Sequence, residues 1–296
     1  FYKGNDLIGS HLSEVGRSMV ADDTRPGASL WLTTQGLKRD SDNNYSATVF
    51  GTNYAYDLST QQDFFNLQGG VDFGVGSAAV VGLTGGVGSS VLRVSGGAGS
   101  FNYRSYNVGA YGQFDAGLIF GSALVRYERY NISAQSIAAG YALETKGDAY
   151  GARAELGLRL GSGGVSFEPL VSLDYAKVKI DGYRAFNTDF TFGNPDGLRG
   201  KAGARIGAVV SDTPAKITVY GRAMAVHEFK SEDRLTLTNS GIPLAFTATR
   251  PRTYGEGALG VSIASPGGIR GFLEGSGETA GGVRGFGGRA GLAIRF

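Results

Sequence analysis

Between residues 149 and 160, apolar and small residues take every second position. Tyr150, Ala152, Ala154, Leu156, Leu158 and Leu160 fall in one set, and Gly151, Arg153, Glu155, Gly157 and Arg159 in the other. A two-residue period held over ten or more positions is a β-strand whose two faces meet different surroundings. The division recurs in 198–208, where Leu198, Ala202, Ala204, Ile206 and Ala208 oppose Arg199, Lys201, Gly203 and Arg205. It recurs again at the end, where Phe286, Ala290, Leu292, Ile294 and Phe296 oppose Arg289, Gly291, Ala293 and Arg295. No run of 18 or more purely apolar residues exists, so a bundle of membrane-spanning helices is excluded although 42% of residues are hydrophobic. A transmembrane barrel is left, because lipid-facing and lumen-facing residues alternate and hide the apolar content from hydropathy averages.

Composition narrows the chemistry. Fifty glycines and 18% charged residues are unusual for a soluble enzyme of this length, and few prolines with many aromatics suit long strands. The absence of cysteine excludes a disulfide scaffold, a thiolate metal site and a cysteine nucleophile. A formal charge of +2 gives no electrostatic case for nucleic-acid binding. The chain opens on Phe1 with no charged-then-apolar leader after it, which predicts either a processed chain or a piece of a longer one lacking its signal peptide.

The first segment has helical spacing. Leu7, Ile8, Leu12, Val15 and Met19 recur every three to five residues, Asn5 or Asp6 is available as N-cap, and the pattern stops before Pro26. After Gly27 the texture becomes strands, placed near 28–38, 45–74, 79–93, 102–115, 118–132, 146–160, 164–180, 198–210, 215–230, 250–264, 268–279 and 284–296. The second interval is too long, so part of 45–59 is expected to lie outside the membrane. Short turns are predicted near 74–78, 115–118, 161–164, 211–215 and 265–268, and longer connections near 38–44, 94–102, 133–146, 181–197, 231–249 and 279–284. Five short turns interleaved with six long loops give an even strand count with both ends on one side, the topology of bacterial single-chain barrels.

Several segments together resemble the β-domains of autotransporters, the type V secretion proteins. They are a Trp-bearing first strand (Ala28-Ser-Leu-Trp31-Leu32), Phe65-Asn-Leu-Gln-Gly-Gly-Val-Asp-Phe73, Tyr106-Asn-Val-Gly-Ala-Tyr-Gly112, Phe167-Glu168-Pro169, Leu198-Arg-Gly-Lys-Ala-Gly-Ala-Arg205, His227-Glu228-Phe229 and Tyr254-Gly-Glu-Gly-Ala-Leu-Gly260. Arg289, Gly291, Ile294 and the terminal Phe296 resemble the polar-x-Gly-x-x-apolar-x-aromatic signal read by the barrel assembly machinery. Such a strand, with free edge groups, suits β-augmentation. The alternative is that Phe296 belongs to an aromatic girdle. The resemblance implies an all-β fold, a twelve-stranded antiparallel transmembrane β-barrel in the bacterial outer membrane. Residues 1–26 would form a linker and helix threading the lumen, and residues 27–296 the translocator that carries an upstream passenger to the cell surface. Outer-membrane lipid and lipopolysaccharide would surround it. In one branch of the family an Asn-Asn pair in the lumenal helix supports self-cleavage; here the only such pair, Asn43-Asn44, falls in a predicted loop and the helix offers Asn5 alone.

The expected lumen wall comprises Arg153, Glu155, Arg159, Glu168, Asp174, Arg199, Arg205, Arg222, Glu228, Glu256, Glu274, Arg289 and Arg295. It either holds the helix, through Leu7, Leu12, Val15 and Met19 and the polar His11, Glu14 and Arg17, or consists of charges that pair across neighbouring strands. His11 and His227 are the only histidines and fit structural roles. No G-x-S-x-G elbow, omptin-like Asp/His set or phospholipase-like Ser/His/Asn set is visible, and glycine runs such as 85–88 do not precede helices. No enzymatic activity and no cofactor are expected. A stand-alone porin or twelve-stranded barrel enzyme is the competing reading.

Overall fold

In the computed structural model the chain is a closed antiparallel β-barrel with one helix at its N-terminus. The structure describes residues 1–16, 27–42, 44–49, 52–57, 59–95, 99–136, 141–185, 187–193, 196–230, 232–239, 241–249 and 252–296. Among these, twelve strands form the wall. They are β1 (Ala28–Ser41), β2 (Thr60–Val75), β3 (Ala79–Val94), β4 (Gly99–Asp115), β5 (Ile119–Ser136), β6 (Tyr141–Leu158, prolonged by Leu160–Ser162), β7 (Val165–Ile180), β8 (Asp196–Ser211), β9 (Lys216–Lys230), β10 (Thr253–Ala264), β11 (Ile269–Ala280) and β12 (Val283–Arg295). Each pairs with the next, and β12 returns to β1 with Ser29 opposite Arg295 and Ser41 opposite Val283. Closure leaves no open edge, which a backbone in lipid requires because nothing there can satisfy a free N–H or C=O.

Alternation follows the sequence closely. Leu156 is 52% exposed on the outside while Arg153 beside it is buried inside. Leu83, Val108, Leu259 and Leu273 likewise stand on the outer surface. An apolar exterior of this extent would aggregate in water and matches lipid as its solvent.

The two ends of the barrel differ, though less than their loop lengths in sequence suggest. At 94–102, 133–146 and 279–284, where longer connections are predicted, the strands run on. Val94 pairs with Gly99, Ser136 with Tyr141 and Ala280 with Val283. Polar residues beyond the apolar band gain the same ladder hydrogen bonds as those within it. The last connection shrinks to Gly281-Gly282, with Gly282 at a left-handed φ of 76°. Residues Asn44–Val49 and Thr52–Asp57 form a separate hairpin, so the overlong second interval does divide. Two other connections on that side associate into a four-stranded sheet, Tyr183–Ala185, Thr188–Phe192, Glu232–Asn239 and Ile242–Thr249.

The helix, α1 (Tyr2–His11), continues into one π-type turn at Leu12–Gly16. It starts earlier than its composition predicts, with Phe1 at the N-cap position. Asn5 and Asp6 are therefore not caps. Both are interior to the helix and completely or almost completely buried.

Candidate functional site

The helix lies in the lumen, and its residues meet inward-pointing side chains from nearly the whole circumference. Its first residues stand toward the long-loop end. The Phe1 carbonyl accepts from Arg126, whose guanidinium lies 4.4 Å from the Phe1 ring centre. Arg199 lies 4.3 Å over the Tyr2 ring. Lys3 Nζ reaches Glu278 at 2.5 Å and Glu256 at 3.3 Å. Gly4 makes this approach possible, since a Cβ there would fall 1.9 Å from Arg126 Nη1.

Asp6 is the centre of the seat. Its Oδ1 accepts from Arg153 at 2.9 Å, Lys201 at 3.0 Å and Arg199 at 3.2 Å. Asp174 Oδ2 on β7 accepts from the same two arginines at 3.1 and 3.2 Å, and its Oδ1 from Asn5 Nδ2 at 3.1 Å. Lys201 also reaches Glu256 at 2.6 Å, and Arg153 reaches Glu155 at 2.9 Å. Two helix residues and six wall residues thus form one ionic network in which each charge has a partner of opposite sign. Buried charges survive only under that condition.

Toward the short-turn end the contacts become mixed. Arg289 Nη1 donates to Ser10 Oγ at 2.6 Å. His11 is fully buried, stacks on Trp31 with ring centres 4.1 Å apart, and places Nε2 3.1 Å from Asp72 Oδ2. Asp72 also accepts from Ser29 at 2.9 Å and from the Tyr111 hydroxyl, which itself takes the Trp31 N–H at 2.6 Å. Ile8 and Leu12 pack with Trp31, Tyr111, Leu124 and Phe272. Glu14 meets Arg205 at 2.6 Å. Beside Ser13 and Glu14 a cavity of about 440 Å³ remains, lined among others by Arg159, Glu168, Arg205 and Lys216.

Of the wall residues expected from sequence, Arg153, Asp174, Arg199, Arg205, Glu256 and Arg289 bond the helix directly. Several bond within the wall. Arg159 joins Glu168 and Asp115, Arg205 joins Glu168, Arg222 and Arg289 share Glu274, and Glu228 accepts from Tyr254. Glu155 holds Arg153. Leu7 and Leu12 are buried; Met19 and Arg17 lie outside the described residues, as does the side chain of Val15. Asn43 is outside them too. Sequence reasoning missed Asp72, Arg126, Glu128 and Glu278. Asp72 stands between outward Val71 and Phe73, so the period-two rule could have found it. Within 126–130 both faces are polar and the rule has no contrast to work on.

The terminal residues divide between faces. Arg289 is inward, Gly291 makes room for the Phe272 ring, and Ile294 and Phe296 point outward, the latter 75% exposed. The Phe296 N–H donates to Ala28 O at 3.0 Å. In the closed barrel β12 is paired on both sides, so its edge is free only before closure.

A closed barrel that is apolar outside and charged inside, with part of its own chain held in the lumen, defines an outer-membrane β-barrel. The autotransporter beta-domain model matches residues 31–276, and the chain belongs to that family. Solved structures of similar fold include the transport unit of the autotransporter AIDA-I from Escherichia coli (TM-score 0.70, 17% identity, 90% of each chain covered). The translocator domain of NalP from Neisseria meningitidis gives a TM-score of 0.68 at 19% identity, over 99% of this chain and 96% of that one. The β-domain of the Bordetella autotransporter BrkA gives 0.66 at 17%, over 92% and 99%. At these identities the likeness is one of fold. No curated protein matches the sequence. By family, the chain is an outer-membrane translocator, the kind of domain that serves an upstream passenger.

Proposed function

We propose that residues 1–26 are the lumen-threading connection to the passenger, that residues 27–296 are the translocator and anchor, and that the charged wall seats the connection once passage is complete. The observation that carries this reading is Asp6, a helix carboxylate bonded to three wall cations on two different strands. The barrel acts by holding and passing a chain, without catalysis. Outward apolar residues meet lipid and lipopolysaccharide, and Arg289, Gly291, Ile294 and Phe296 present the last strand to the barrel assembly machinery before β12 closes onto β1.

A twelve-stranded barrel is wider than the eight-stranded kind that side chains alone fill, so its lumen has room for a helix about 10–12 Å across. Removing residues 1–24 therefore leaves a folded barrel with a larger single-channel conductance in planar bilayers. An unchanged conductance would place the seal elsewhere and remove the role assigned to the helix.

A further inference from the structure

On four adjacent strands the outward apolar row ends on a tyrosine: Tyr106 on β4, Tyr127 on β5, Tyr150 on β6 and Tyr175 on β7, all exposed. All four stand toward the long-loop end, as an aromatic girdle at one membrane interface does. The outward positions two and four residues beyond them hold Arg104 and Asn102, Arg129 and Asn131, Asp148 and Lys146, and Lys177 and Lys179. Two residues advance a strand by about 7 Å, which lifts these side chains from the acyl region to the headgroups.

Register brings these positions together. Arg129 and Lys179 flank Asp148, Lys146 and Arg104 flank Asn131, and Lys177 stands opposite Tyr150. Five cations therefore share two rows with a single carboxylate, Asp148, which already accepts from the Tyr127 hydroxyl. Glu144 and Asp181 stand further out, and Asp196, opposite Lys177, is taken by Lys230 at 2.5 Å. None of the five forms a salt bridge among the described residues. The neighbouring strands β1–β3 are different: Arg93 is paired with Asp63 at 2.6 Å, and Lys38 stands opposite the same Asp63.

We propose that this face of β4–β7 is a seat for a phosphorylated glycolipid of the outer leaflet, with Arg104, Arg129, Lys146, Lys177 and Lys179 on the phosphates of lipopolysaccharide and the four tyrosines at the sugar–acyl boundary. Cations on several strands can hold two phosphates of one headgroup at once, which a phospholipid with one phosphate cannot exploit. The inference rests on the outer-membrane placement and adds to it a fixed side of the barrel.

The test inserts the full chain into phosphatidylcholine vesicles containing lipopolysaccharide and measures its retention on the extracted barrel by native mass spectrometry. Neutralising one cation weakens retention roughly fivefold, so Arg129→Gln/Lys146→Gln/Lys177→Gln loses on the order of a hundredfold. Lys38→Gln/Arg284→Gln, on the other side, loses nothing. Enzymatically dephosphorylated lipopolysaccharide brings the wild type down to the triple variant, an arm that needs no mutant to fold. Equal retention of the two lipopolysaccharides by the wild type, or equal retention of phosphatidylglycerol added in place of lipopolysaccharide, would overturn the proposal while leaving the barrel in its membrane. Failure to insert at all would overturn the placement as well.

Discussion

Replacing Asp6 by Asn tests the seat with the least change of shape. The carboxylate accepts from Arg153, Lys201 and Arg199 at 2.9, 3.0 and 3.2 Å, and the amide cannot balance their charge. Losing one partner of a buried ion pair costs about 3–5 kcal/mol. The lower figure applies here, because Asp174 still faces both arginines and Glu256 still faces Lys201. Only the docked state loses this energy, since an emptied lumen fills with water and hydrates the same cations. A loss of about 3 kcal/mol moves the docking equilibrium by roughly a hundredfold toward the open state. Single-channel recording in planar bilayers reads that shift as a rise in open probability, and heat-modifiable gel migration reports whether the barrel stays folded. If Asp6→Asn gives a folded barrel that opens no more often than the wild type, the Asp6 network does not hold the helix and the reasoning fails.

Leu156→Arg destabilises the barrel by about 2–4 kcal/mol because it puts a cation on the lipid face, whereas Ser122→Arg, inward and opposite Glu155, changes it by less than about 1 kcal/mol; urea unfolding in vesicles separates them, and equal losses would refute the facing. His11→Ala removes the stack on Trp31 and one partner of buried Asp72, weakening the docked state by about 1–3 kcal/mol. As Trp31 is the only tryptophan, its fluorescence reports this loss directly, and an unaltered spectrum would contradict the stack. Deleting Phe296 lowers the amount of barrel assembled in cells while leaving the melting of refolded barrel almost unchanged, since its side chain is 75% exposed; equal membrane levels of both proteins would refute an assembly role.

The sequence displays the barrel because lipid and lumen impose opposite demands on consecutive residues, and 149–160 obeys them at every position. It displays the wall charges for the same reason. It conceals their partners, because the polar contacts join residues far apart in the chain: Asp6 with Arg199, His11 with Asp72. Asn5 and Asp6 mislead for a further reason. Asn and Asp are favoured N-caps and are also good partners for buried cations, and local spacing cannot choose between the two uses. The four-stranded external sheet joins two loops over 40 residues apart and leaves no local trace beyond polar alternation.

A charged seat has a consequence that an apolar one lacks. The described part of the helix contributes Leu7, Ile8 and Leu12 as its buried apolar side chains, and its other buried positions are polar, charged or glycine. A plug held mainly by apolar contact would, on leaving, expose dry surface to a water-filled channel at about 25 cal/mol per Å², and that surface would grip any apolar stretch that followed. Ionic contacts behave differently. When the helix leaves, Arg153 and Arg199 keep Asp174, Lys201 keeps Glu256, and water replaces Asp6. The vacated wall is then hydrated and indifferent to the sequence passing it, while a segment carrying an acid at the right height is held. That combination is what a translocator needs from its lumen: low affinity for what passes, and a specific catch for what stays.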